Sequence, residues 1–276
     1  MLTEQALKDQ LQIIASNDFK LPDGLDRWML AQEMLAHLGS IDPELRDDLI
    51  YRTLSRWALR DQFNTDQLRQ LLSIVTVDRH LFYRIGEKET DSVFTRTFSM
   101  LSIVLPLFVH RRSTFLSPDD VRSTLAKALD YLAKEKDWRG YIDGKGWAHA
   151  AAHSADVLDE LAQCNEIERG GLLQILEAIR TTMSIDAAVF THEEDERMAY
   201  ATLSLIGRGL LIERDIEPWI RSFAPIEEAG GVRDVYRRVN VKTYLRCLFF
   251  QATRRRSTEW ITVPINETLY AISKFR

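Results

Sequence analysis

The chain has 276 residues, 45% hydrophobic and 28% charged, the make-up of a folded protein and not of a disordered or fibrous one. A formal net charge of −5 and a pI near 5.8 argue against nucleic acid as the main partner, since phosphate binding needs a basic surface. Two cysteines, Cys164 and Cys247, are too few for a disulfide framework, and no basic segment leads into an apolar one near Met1, so a cytoplasmic protein is expected.

In chain order, the 3.6-residue apolar period predicts helices near 3–17, 25–39 and 44–60. Asp42-Pro43-Glu44 starts the third with an N-cap, a proline at the first helical position and an acidic first turn. Thr65 is expected to cap Asp66 to Val75. The next helix, near 91–111, holds the most apolar run, Phe98 to Val109, which is too short to cross a bilayer and contains Pro106, so no membrane partner is expected. Ser117-Pro118-Asp119-Asp120 repeats the start grammar before Val121 to Leu132.

Further helices are predicted near 146–163, 168–183, 192–212 and 232–253, and only Trp260 to Ile265 reads as short and extended. Cys247 lies in an apolar helical run and is expected to be buried, as are the core aromatics Trp28, Trp57 and Trp219. His37, His80 and His110 read as packing or surface residues. Arg254, Arg255 and Arg256 are either a local basic patch or a solvated helix end that complements the dipole.

Helices of about 12 to 20 residues with short connections imply antiparallel neighbours. A long series of such pairs favours a HEAT-like or armadillo-like α-solenoid, with an irregular helical domain as the other arrangement. No linker rich in Pro, Gly or Ser divides the chain, so a single helical domain over 1–276 is expected.

The segment Asp137 to Trp147 breaks the pattern. Gly140, Gly144 and Gly146 mark a loop, yet two tryptophans, a tyrosine, an arginine and a lysine crowd into it. That is the make-up of a binding loop on a rigid scaffold, or of a loop pinned to the core by its aromatics. Directly after it, His149, His153, Asp156 and Glu160 follow at helical spacing and project in one stripe, with alanines between them that let neighbours approach.

A histidine pair at i and i+4 can chelate one divalent metal, zinc or manganese, with Asp156 a turn away. A further ligand has to come from elsewhere, and Thr191-His192-Glu193-Glu194-Asp195-Glu196-Arg197, at the start of a helix, is the best donor segment. The same acids suit a helix first turn, with Glu193 and Arg197 paired along the surface, and the two histidines can equally be neutral groups hydrogen-bonded to these acids in a structural network at a helix–helix contact. Arg96 and Ser99, three apart on a helix, can clamp a carboxylate or phosphate, or Arg96 can partner a buried acid such as Asp156.

At Arg139-Gly140, then Gly146-Trp147-Ala148-His149, then Ala152-His153 and Asp156, the chain resembles a bacterial family catalogued as domain of unknown function 2785. Phe94-Thr95-Arg96-Thr97-Phe98-Ser99 looks like that family's FxRSFS element with Thr97 in place of serine, and Glu194-Asp195-Glu196-Arg197 looks like its EDER element. The resemblance implies an all-helical protein and supplies no activity.

Three functions follow. The first is a helical scaffold with one polar pocket for a small anionic or polar ligand, or for a peptide terminus. Its walls would be Arg96, Ser99, Arg139, Trp147, His149, His153, Asp156, Glu193, Asp195 and Arg197. The second is a metal-dependent hydrolase with His149, His153 and Asp156 as ligands. The third is a protein-interaction scaffold with no pocket chemistry.

Overall fold

The computed structural model describes residues 2–224 and 230–274. These residues form α1 (Glu4–Ser16), α2 (Arg27–Ala36), a π-helix (Glu44–Tyr51) that runs into α3 (Arg52–Leu59), α4 (Thr65–Val75), α5 (Ser92–Arg112) and α6 (Pro118–Lys134). A two-stranded hairpin, β1 (Tyr141–Ile142) and β2 (Gly146–Trp147), precedes α7 (Ala150–Gln163), α8 (Arg169–Met183), α9 (Glu194–Gly207), α10 (Glu213–Arg221), α11 (Val232–Thr253), a 3-10 turn (Glu259–Ile261) and α12 (Thr262–Ile272). Among the described residues the regular structure is all helical apart from that hairpin.

The chain folds into two compact units that it visits alternately: Met1–Asp120 with Lys134–His153, and Val121–Ala133 with Ser154–Arg276. In the first, α1 packs on the π-helix, α2 on α4, and α3 and α4 on α5. In the second, α11 is the centre, packed by α8, α9 and α12, with α10 against α12.

The start signals behave as their chemistry requires. The Asp42 carboxylate accepts from the amides of Glu44 (3.0 Å) and Leu45 (3.3 Å) at the head of the π-helix. Ser117 and Asp120 cap each other reciprocally ahead of α6. At α4 the cap is Asn64, not Thr65, and Gln67 closes the capping box from the other side.

Three other expectations are corrected. Trp260 to Ile265 is helical, because Pro264 falls in the first turn of α12, where its missing N–H has no intrahelical partner to lose. The helix expected from 146 starts only at Ala150, because Gly146 and Trp147 pair back onto β1. Cys247 is half-buried; Cys164 is the buried thiol.

The apolar run around Pro106 belongs to a 21-residue helix, α5, with mean hydropathy 1.6 over its best window. By length and composition it passes as a membrane span, but 83% of that window is buried inside the protein, which is how a core helix looks.

Candidate functional site

The hairpin closes through a bond from the Lys145 amide to the Ile142 carbonyl (2.9 Å), with Tyr141 opposite Trp147 and Ile142 opposite Gly146. Gly144 and Gly146 both sit at positive φ. Gly146 has a second reason to be glycine: a Cβ there would lie 2.7 Å from Pro43 Cβ and 2.9 Å from Arg46 Nη2. The hairpin therefore rests directly on the first turn of the π-helix.

Arg46 makes that seat. Its guanidinium donates to the carbonyls of Lys145 and Ser40, both at 2.7 Å, and lies over the rings of Phe94 (4.1 Å) and Phe98 (4.7 Å). Asp47 is 2.7 Å from Arg46 Nε and accepts from the Trp147 amide. Burial pushes the Asp47 carboxyl up to about 6, outweighing the pull of Arg46 in the other direction. π-Helical turns concentrate at functional sites, and this one holds the aromatic loop in place.

Beyond the hairpin, the amides of Ala148 and His149 bond the carbonyls of Gly140 and Arg139, and His149 adopts φ +51° just ahead of α7. Left-handed backbone is unusual for a residue with a Cβ. The His149 ring stacks on Trp147 (4.2 Å, 26° between planes), and His153 stands edge-on to it at 5.8 Å. Phe98 packs edge-on against His153 from α5 at 5.1 Å. His153 Nδ1 is 3.1 Å from the Thr97 carbonyl, which can only accept, so Nδ1 carries the hydrogen of that bond. Both histidines are buried.

Arg96 is engaged as a structural tie. It forms a two-point pair with Glu135 (Nε–Oε2 2.7 Å, Nη2–Oε1 3.0 Å) and bonds Ser92 Oγ and the carbonyls of Tyr83, Arg84 and Glu87. Every N–H of the guanidinium thus has an acceptor inside the fold, and both partners are fully buried. Its acid is Glu135, not Asp156, because Glu135 lies just past α6 in the same unit. Ser99 back-bonds the Thr95 carbonyl (2.6 Å). Arg139 pairs with Asp137 (2.6 Å) and donates to the Thr90 carbonyl, while Lys145 reaches Asp91 (2.7 Å).

In the second unit, Arg197 pairs with Asp156 (2.7 Å) and not with Glu193, whose φ of +65° turns the chain ahead of α9. Burial pushes Asp156 up to about 6 against the pull of Arg197. Asp195 accepts from the Glu196 amide and from the Cys247 thiol, and the buried Glu194 accepts from the His192 amide.

Trp147, His149 and His153 thus come together with Arg139 close behind them in the chain, while Asp156 and Arg197 form a pair of their own. Among the described residues no three His, Cys, Asp or Glu side chains gather in a metal-binding group. An open groove of about 370 Å³, lined by residues such as Leu125, Leu129, Ile167 and Gly171, contains none of the expected site residues. Sequence reasoning missed Arg46, Asp47 and Glu135. Arg46 left one trace, standing four, seven and eleven residues before the buried Ile50, Thr53 and Trp57 on one helix face.

The profile of a family described as "Protein of unknown function (DUF2785)" matches residues 81–250. The chain matches no curated protein and no solved structure.

Proposed function

The chain belongs to the DUF2785 family, and from the geometry we propose that it is a binding protein whose site is built on Trp147, His149 and His153. The ligand class that fits is a small polar or anionic molecule, or a peptide terminus. The observation that carries this reading is His149. A buried imidazole held at φ +51° beneath a tryptophan needs over-determined surroundings, and such strain collects at ligand sites. Arg46 and Asp47 supply those surroundings by fixing the hairpin. Tyr141 and Trp147 both keep exposed ring surface as walls, and Arg139 supplies a partly exposed cation.

The test is a thermal-shift screen of small carboxylates, phosphates and short peptides, run on the wild type and on His149→Ala. A compound that raises Tm for the wild type and not for the folded variant is expected. A panel without hits, or hits that the variant shares, would remove the reading.

A divalent-metal hydrolase using zinc or manganese is a second reading. One contact favours it, the His153 Nδ1–Thr97 carbonyl bond, because metal-bound histidines are oriented by such bonds on their other nitrogen. Asp156, its expected third ligand, is engaged by Arg197. Metal analysis of protein without a histidine tag decides it, with near-stoichiometric metal lost in His149→Ala/His153→Ala as the supporting result.

As scaffold, we read 1–276 as one domain of diverged HEAT-like or armadillo-like hairpins working in the cytoplasm. A small-angle scattering curve of a compact globule would count against the solenoid.

A further inference from the structure

Between residues 230 and 256 the chain carries eight basic residues and one acidic, in a protein of net charge −5. Most of them lie on α11. There Lys242, Arg246 and Phe250 follow at four-residue steps and lead to the C-cap Arg254, so they form one ridge along the helix. Arg237 and Arg255, off that ridge, are engaged: Arg237 pairs with Asp186 (2.9 Å) and Arg255 lies over the Tyr200 ring (5.1 Å). Lys242, Arg246 and Arg254 make no ion pair with any described residue.

The ridge is also self-repelling. Burial holds the Lys242 ammonium below its usual range, and Arg246 and Arg238 add to the effect as like charges. At its end Phe250 is 66% exposed. A row of like charges with a bare aromatic beside it costs stability while it stands alone, as the face of an interaction surface does.

We propose that the ridge Lys242–Arg246–Phe250–Arg254 docks an acidic amphipathic helix of a partner protein. On such a helix, carboxylates at four-residue steps repeat every ~6 Å, the same interval as the cations. An apolar residue of the partner would cover Phe250. A broader polyanion fits less well, because acids of α9 flank the row. Glu196 is bonded by Gln251 (2.5 Å) and Asp195 by Cys247 (3.5 Å), so a bilayer or duplex wide enough to overhang the ridge meets their charge.

The experiment uses the full-length protein and fluorescence anisotropy of a labelled helical peptide with glutamates every four residues and leucines beside them. Vesicles containing phosphatidylserine and a 20-base-pair DNA duplex run in parallel. The peptide is expected to bind, and binding is expected to weaken at least tenfold in Arg246→Glu/Arg254→Glu, whose melting curve should stay that of the wild type because both side chains are exposed. Raising salt should weaken it as well. Absence of peptide binding, or equal binding by the variant, would overturn the proposal. Vesicle or duplex binding that the same variant abolishes would overturn the choice of partner.

Discussion

Arginine does opposite things in two parts of this molecule. In the first unit, Arg46 and Arg96 are buried: the Arg46 Nη atoms donate to two carbonyls, and the Arg96 donors are taken by carbonyls, a hydroxyl and a carboxylate of the fold. On α11 and at its C-cap, Arg246 and Arg254 stand in solvent and have no acidic partner among the described residues. The difference is not residue type but what surrounds it. Where acceptors are preorganised and water is excluded, a guanidinium becomes part of the scaffold, and removing one partner strands a charge. Where water remains, the charge is free for something else and contributes little to the fold.

The contrast can be broken most forcefully at Glu135. Glu135→Ala leaves the Arg96 guanidinium buried without its counter-charge and should cost about 3–5 kcal/mol in urea unfolding. Arg96→Leu/Glu135→Leu should recover much of that loss; if the double change is no better than the single one, stranded charge is not the cause. Next in size, Arg46→Ala removes two charge-assisted bonds and the stack on Phe94 and Phe98, for about 2–3 kcal/mol by the same measurement. It should also loosen the hairpin, seen as faster amide exchange at Trp147.

A third effect is pH-dependent. Asp47 binds its proton more tightly in the folded protein, near 6, than in the unfolded chain at ~3.9. The stability this contributes is fully present below about pH 4 and is lost as pH rises through about 6. Wild type should therefore lose about 1 kcal/mol between pH 4 and 7 that Asp47→Asn does not, a discounted figure because solvent reaches the carboxyl. Parallel pH profiles of the two proteins would contradict it. Smallest of all, Arg246→Gln should change stability by less than about 0.5 kcal/mol, and a large loss there would erase the contrast between the two regions.

What the sequence disclosed follows the range of the interactions. Caps at Asp42 and Ser117 and the periods of α5, α8 and α11 are local, and each was legible from a few neighbouring residues. The crowded glycine loop and the histidines after it were also visible, because their composition departs from everything around them. What stayed hidden depends on distant partners. Arg96 announced a buried acid, but Glu135 is 39 residues away and looks like any acid at a helix end. Arg46 stayed hidden because its partner, the hairpin carbonyl of Lys145, lies 99 residues on. Gly146 was legible as a loop glycine that needs positive φ or close approach, and the structure shows both, the second against Pro43 and Arg46.

The reach from Arg96 to Glu135 also has a cost in time. A ribosome adds about 5–20 residues each second, so 39 residues take roughly 2–8 s to synthesise. By the later part of that interval the nascent chain holds the complete α5, Ser92–Arg112, around an arginine whose carboxylate has not yet been made. Until then the helix cannot close over its own charge, and its apolar face has nothing in the chain to complete its burial.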